Sequence, residues 1–221
     1  MRSQELSPTP RTRLGRARER GRLDRADLYE VLDAGMICHL GVVVEGTPRV
    51  IPTGYGRDGD TLYVHGSTGA RSLRAPGGEN GAAEVCVTVT HLDGVVLARS
   101  AFHHSMNYRS AMIYAVPRVL TEPAEKLTAL RVISEQLAPG QWEVVRPPDR
   151  RELAATSVLA LSLDEASVKV RKGPPVDEED DHDLDVWAGV LPVRQIFGPL
   201  EPDPALRPGI PVPAHLSHWD R

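Results

Sequence analysis

The sequence predicts a mainly β fold of the α+β class: an antiparallel sheet closed into a barrel, with helices at its periphery. Three observations carry that expectation. Apolar, β-branched runs recur roughly seven or eight times along the chain. Most successive runs are joined by tight turns rather than by helices, which favours antiparallel pairing over a doubly wound parallel sheet. No period of roughly 20–50 residues repeats, which removes the solenoids and propellers.

The elements follow in order. Asp24 is a plausible cap for a first helix over 23–34, with Leu28, Val31 and Leu32 on one face and Gly35 as the stop. Met36 to Val44 reads as a strand, turned by Glu45-Gly46 into a second over Pro48 to Tyr55. Asp58-Gly59 marks another hairpin into Thr61 to His65. Ser67 to Ala75 reads as a short helical segment ended by Pro76-Gly77-Gly78. A second meander runs from Glu84 through Val89, turns at Asp93-Gly94, and returns from Val95 to Ala101. Tyr108 to Val119 is a long strand whose Pro117 belongs at an edge or bulge. Glu122 to Leu137 has the clearest helical spacing, through Leu127, Leu130, Ile133 and Leu137. Val158 to Leu163 and Ala166 to Val170 form a further strand pair, and Val186 to Val193 a last one.

Composition narrows the function. The chain has 221 residues, 41% hydrophobic and 25% charged, which suits one domain with a full core. No apolar run approaches the ~20 residues of a membrane-spanning helix, and the N-terminus lacks the apolar stretch of a secretory signal. The only two cysteines, Cys38 and Cys86, form no CxxC pair; reduced thiols in a cytoplasm are the expectation. The net charge of −4 gives no overall case for nucleic acid. Its distribution is uneven, with seven arginines between Arg2 and Arg22 against Glu5 and Glu19. The organisation expected is a basic, poorly ordered arm over 1–22, a barrel domain over 23–200, and a Pro-rich extended arm over 201–221. A DNA-contacting role for the basic arm stands as a minor alternative, since no aromatic residue interleaves with its arginines. The acidic run from Asp177 to Asp185 lacks calcium-loop spacing and reads as a solvated loop.

Two stretches are dense in chemistry. His65-Gly66-Ser67-Thr68-Gly69-Ala70-Arg71-Ser72 ends a strand in small and hydroxyl residues followed by a cation, a composition suited to cradling a phosphate with backbone N–H groups, hydroxyls and a guanidinium. N-cap hydroxyls are common without any ligand. The run from Ser100 to Ser110 packs His103, His104, Ser105, Asn107, Tyr108 and Arg109 into one junction, suited to a polar ligand with several acceptors. Adjacent histidines on a strand face opposite ways and do not chelate together, and there is no GxSxG, HExxH or Walker A pattern. Trp187, near Gly189 and Pro192, is either a half-buried aromatic or a ligand-stacking one.

These motifs, taken in order, resemble the pyridoxamine 5′-phosphate oxidase-like flavoproteins. The resemblance is carried by Val50-Ile51-Pro52 to Tyr55, by Asp58 to Ser67 with Arg71-Ser72-Leu73, by Asp93 to Ser100 with Asn107-Tyr108-Arg109-Ser110, and by Val186 to Pro192. It is nearest to the flavin-nucleotide-binding branch that includes nitroimidazole-resistance reductases. It implies an antiparallel split β-barrel homodimer with FMN in grooves at the subunit interface. It further implies phosphate contacts from Ser67, Thr68, Arg71 and Ser72, and ring contacts from Ile51, Pro52, Thr53, Val64 and His65. Contacts from Ser105, Tyr108, Arg109 and Ser110 would follow, with Trp187 reaching across from the other subunit. His65 and Arg109 would lie nearest the reacting face. The resulting expectation is an FMN-dependent oxidoreductase acting on a small organic substrate. A non-catalytic flavin carrier, or a haem or deazaflavin protein with His103 or His104 on the iron, remains the alternative. The arginines that a pyridoxamine-phosphate oxidase uses near its C-terminus have no match here, so vitamin B6 oxidation is not implied.

Overall fold

The computed structural model describes residues 4–6, 9–70, 73, 83–217 and 219. Ten strands form one antiparallel sheet in the order β1-β9-β6-β5-β2-β3-β4-β8-β7, with β10 on the free edge of β5. The first helix, α1 (Arg25–Asp33), starts where Asp24 accepts a hydrogen bond from the Ala26 N–H at 2.8 Å. It buries Leu28, Val31 and Leu32 as its spacing requires.

Strand β2 (Ile37–Val44) alternates strictly. Cys38, Leu40, Val42 and Val44 are buried, while Ile37, His39 and Val43 are exposed. The turn Glu45-Gly46 takes positive φ at both residues, 51° and 75°, as a two-residue hairpin of right-handed twist demands. Strand β3 (Thr47–Asp58) is long because it serves both halves of the barrel. Thr47 through Gly54 pair with β2, and Tyr55 through Asp58 pair with β4 (Thr61–Ser67). One core cluster spans both halves, joining Leu40, Val87 and Ile113 to Leu62, Val64 and Leu161. This is the split barrel.

Beyond this point the chain departs from its sequence pattern in several places. Strand β5 (Val85–Leu97) does not turn at Asp93-Gly94; it runs straight through, with a register shift between Leu92 and Gly94. A glycine serves a bulge as readily as a turn. There, β5 exchanges edge partners, from β2 at Cys86–Thr88 to β10 (Gly189–Pro192) at Gly94–Leu97. The true reversal lies at 98–104, and β6 (Ser105–Ala115) begins three residues earlier than the pattern suggests. Pro117 breaks the strand expected to continue to Val119, and β7 (Arg118–Val119) joins β8 (Thr156–Ser162) in the other half. β9 (Glu165–Arg171) closes on β6.

Helix α2 (Pro123–Leu137) packs Ala129, Ile133 and Gln136 inward. It lies so close to β3 that a Cβ on Gly56 would come within 2.7 Å of the Ile133 backbone. Gln136 Nε2 donates to the carbonyls of Leu32, Asp33 and Gly35, satisfying the end of α1. The short helices α3 (Arg150–Ala155) and α4 (Ala214–Ser217) complete the periphery.

The basic arm is not loose where it is described. Leu6 and Thr12 are buried, and β1 (Gly21–Arg22) adds an edge strand to β9. Arg11 pairs with Glu84 and Glu165. Charge density masked a short apolar anchor and two distant acids, Glu84 and Glu165, that hold the arm down. No described helix is long and apolar enough to cross a membrane.

Candidate functional site

The sequence points to the end of β4 as a candidate polar site. Val64 is fully buried in the core and can offer a ligand only its backbone. His65 sits on the opposite face, half-buried, and its Nδ1 has no hydrogen-bond partner among the described residues although it is shut off from solvent. Such an orphan in a native protein is costly unless something fills it. Burial pushes the imidazole below its ordinary value of 6.5, so the ring is neutral near pH 7. Two residues on, Ser67 Oγ accepts from the Gly69 N–H at 3.1 Å, and the Ala70 N–H donates to the Ser67 carbonyl. The Thr68 N–H is spent on Ala155 O, but the Ser67 and Thr68 side chains are exposed. Leu73 is buried. Arg71 and Ser72 lie outside the described residues.

On β3 the three expected residues divide. Ile51 pairs across from Leu40 and Thr53 from Cys38, so both side chains face the interior side of the sheet. Pro52 faces outward opposite His39. The interior placement of Ile51, Thr53 and Val64 follows from register: a residue directly across from a buried neighbour shares its face.

The donor-rich stretch around β6 is largely occupied. Arg109 holds both oxygens of Asp93, at 3.1 and 3.0 Å, with Glu30 of α1 at 3.8 Å. Those bonds favour the charged guanidinium, which is a structural ion pair rather than a free reagent. Asn107 Nδ2 donates to Gly173 O at 3.1 Å, and Arg99 clamps Asp177 through its backbone N–H and its guanidinium. His104 Nδ1 accepts from the Ala98 N–H at 3.0 Å, so in the neutral ring Nε2 carries the proton and has no lone pair for iron. His103 lies 3.5 Å from Glu178. The density of donors here is explained by the need to tie down residues 173–178. Ser105, Tyr108 and Ser110 remain half-exposed. Trp187 is 69% exposed, with its ring against Gly189 at the start of β10. Within one chain it does not join the β4 end.

A feature the sequence did not signal is a cavity of about 640 Å³ where β5 changes partners, lined by Met36, His91, Asp93, Arg109, Ile196 and Phe197. His91 Nε2 is bound to the Val31 carbonyl at 2.9 Å. Cys38, buried, has its thiol pushed up to about 12 and is no nucleophile. Among the described residues no three His, Cys, Asp or Glu side chains converge as a metal site.

The flat outer face of the sheet is the other notable surface. Register sets Pro52, His39, Thr88, Met112 and Ser167 side by side across β3, β2, β5, β6 and β9. Around that row Ile37, Val43 and Val50 are 58%, 55% and 69% exposed.

Known proteins share this fold. The flavocytochrome Anf3 from Azotobacter vinelandii is 39% identical over 96% of this chain and 97% of its own, with a TM-score of 0.90. The FAD- and haem-binding protein from Mycobacterium smegmatis is 36% identical over 90% of this chain and 96% of its own, with a TM-score of 0.84. A candidate 5-nitroimidazole antibiotic resistance protein from Bacteroides thetaiotaomicron shares the fold at 22% identity, over 68% of this chain and 86% of its own, with a TM-score of 0.57. No curated protein matches the chain. The family model described as pyridoxamine 5′-phosphate oxidase matches residues 24–170. That match runs from α1 into β9 and takes in eight of the ten strands, leaving out only β1 and β10, and the chain belongs to the pyridoxamine 5′-phosphate oxidase family.

Proposed function

We propose that the chain is a flavin-binding oxidoreductase, with FMN as the minimal cofactor, acting as a homodimer on a small organic substrate. The observation that carries this reading is the β4 end. A neutral imidazole with an unpartnered, buried nitrogen stands two residues before exposed hydroxyls at a tight turn. That donor set fits a heterocycle joined to a phosphate, with His65 at the ring and Ser67 and Thr68 at the phosphate. Arg71 and Ser72, next in sequence, would add charge and a hydroxyl to the same end.

A bound flavin supplies the hydride or electron exchange. His65 would orient its ring by hydrogen bonding and hold a proton near the reacting face. The outer face would suit a dimer, since exposed Ile37, Val43, Val50 and Met112 share the face that a second copy would cover. Tyr108, Ser110 and Trp187 would then contribute from the margins. Arg109 is better assigned to holding Asp93 than to chemistry.

A second reading gives His65 to haem iron. Its neutral ring and its Nδ1, unpartnered among the described residues, favour it over His104, although the ring must turn to expose that nitrogen, and two relatives that match nearly end to end are described by haem as well as flavin. Titration of the purified chain with FMN, followed by flavin fluorescence, tests the first reading: tight one-to-one quenching, lost in Arg71→Glu, is expected. No quenching at micromolar FMN rejects it. Titration with haemin, followed by a Soret band that His65→Ala abolishes, tests the second.

A further inference from the structure

On the outer face, beyond the apolar rows, β6 and β9 bring a different chemistry together. Register sets Ser110 beside Lys169 and Tyr108 beside Arg171, with Gly21 of β1 across from Lys169. The 3-10 turn Arg18–Arg20 packs against β9 at this end. Three cations therefore crowd one edge, and among the described residues only Arg20 has a carboxylate partner. Arg171 donates to Asn107 Oδ1, to Gly173 O at 2.9 Å and to Pro174 O at 2.9 Å, all of them uncharged acceptors. Lys169 Nζ donates to the Arg16 carbonyl at 3.2 Å.

Among the described residues, Glu19 is the one carboxylate paired with any of the three. It lies 3.6 Å from Arg20 Nε and is 72% exposed. Glu165, on the same strand, is already held by Arg11 and Thr9. Burial, together with the Arg20 charge, pushes the Arg171 guanidinium below its ordinary value. Three like charges gathered with a single acid are unfavourable in the free protein, and the arginine forks match phosphate oxygens.

We propose that Arg20, Lys169 and Arg171 bind the diphosphate group of a nucleotide, with Tyr108 as a platform for its sugar or base. Three cations against one peripheral carboxylate leave two net positive charges, the complement of a diphosphate rather than of a neutral ligand. Arg171 is pre-oriented by its three carbonyl-type acceptors, so it presents its remaining N–H groups at little entropic cost. The basic arm thereby acquires a local role: it delivers Arg20 to the site and, through Arg16, steadies Lys169. The three cations are independent of the flavin reading, with which the site shares only Tyr108, except where the diphosphate is that of FAD.

The test is calorimetric titration of the full chain with inorganic pyrophosphate, ADP, FAD and NADPH, beside the Arg20→Gln/Lys169→Gln double variant. Arg171 is left intact because it also ties down Asn107 and Gly173. ADP and pyrophosphate are expected to bind once per chain. The double variant should weaken ADP by about tenfold or more, the scale of one charged hydrogen bond, while FMN affinity changes less than about twofold. An advantage of FAD over FMN that disappears in the double variant assigns the diphosphate to the cofactor. NADPH that binds the FMN-loaded chain and is displaced by ADP assigns it to the electron donor. Equal ADP affinity in both proteins overturns the site. So does a single-stranded oligonucleotide that displaces ADP with a steep salt dependence, which marks a polyanion surface instead. If FMN fails to bind at all, the flavin reading falls while the ADP titration still decides this one.

Discussion

The end of β4 and the β5–β6 pair carry similar residues to opposite ends. Both offer an imidazole and hydroxyls, and both were expected to touch the same ligand. At β6 the strongest group, Arg109, is committed to two oxygens of Asp93, and the neighbouring donors hold residues 173–178 in place. At β4 the strongest group, His65, is left with a buried nitrogen that no described residue satisfies. Polar density alone thus does not separate a binding site from a structural clamp. The state of each group's partners does, because a satisfied ion pair loses by meeting a ligand whereas an orphan gains.

The contrast can be broken by substitution. The largest effect belongs to His65→Ala, which should weaken the bound cofactor by at least about tenfold, or about 1.4 kcal/mol, while thermal melting of the cofactor-free protein stays within about 1 °C. Equilibrium dialysis and a melting curve check the pair of numbers. Next is the outer face. Val50→Asp combined with Met112→Asp should shift the protein from dimer to monomer in light scattering, raising the dimer Kd by about tenfold or more as like charges meet across the interface.

Arg109→Met should reverse the His65 pattern. It should cost about 1 kcal/mol, discounted because both partners are about a third exposed, which lowers Tm by about 2–4 °C and leaves cofactor affinity within about twofold. Pairing it with Asp93→Asn should recover part of that loss, since the stranded carboxylate is removed. A Tm unchanged by Arg109→Met, together with a lost cofactor, would reverse the roles assigned to the two regions.

The smallest effect is in pH. The folded chain binds a proton at His65 less readily than the unfolded chain does, because burial lowers its value from 6.5. Stability contributed by the neutral ring is therefore present above pH 6.5 and lost as the pH falls through the lower folded value. Urea unfolding at pH 5.5 and 7.5 should show a larger acid loss in the natural chain than in His65→Gln.

Much of the fold was legible because its signals are local. Asp24 as a cap, Glu45-Gly46 and Asp58-Gly59 as turns, and the alternation of β2 all depend on neighbours within a few residues. The misreadings share a cause. Asp93-Gly94 has the chemistry of a turn and of a bulge, and only its partners on β6 and β10 decide between them. The arm looked solvated because its arginines outnumber its acids, yet Arg11 finds Glu84 and Glu165, which lie far off in sequence. At the site, the His65 turn could be singled out from its residue types. The inward facing of Ile51 and Thr53, the Arg109–Asp93 pair and the cavity at His91 required the register, which composition does not hold. Gln136, buried among the carbonyls at the end of α1, gave no sequence signal at all.

The central claim is that redox cofactor binding belongs to the β4 end and not to Arg109. Visible absorption spectra of the natural chain, His65→Ala and Arg109→Met, each loaded with FMN and desalted, test it most directly. The account predicts a retained flavin band in the natural chain and in Arg109→Met, and its loss in His65→Ala. A band retained by His65→Ala and lost from Arg109→Met contradicts it.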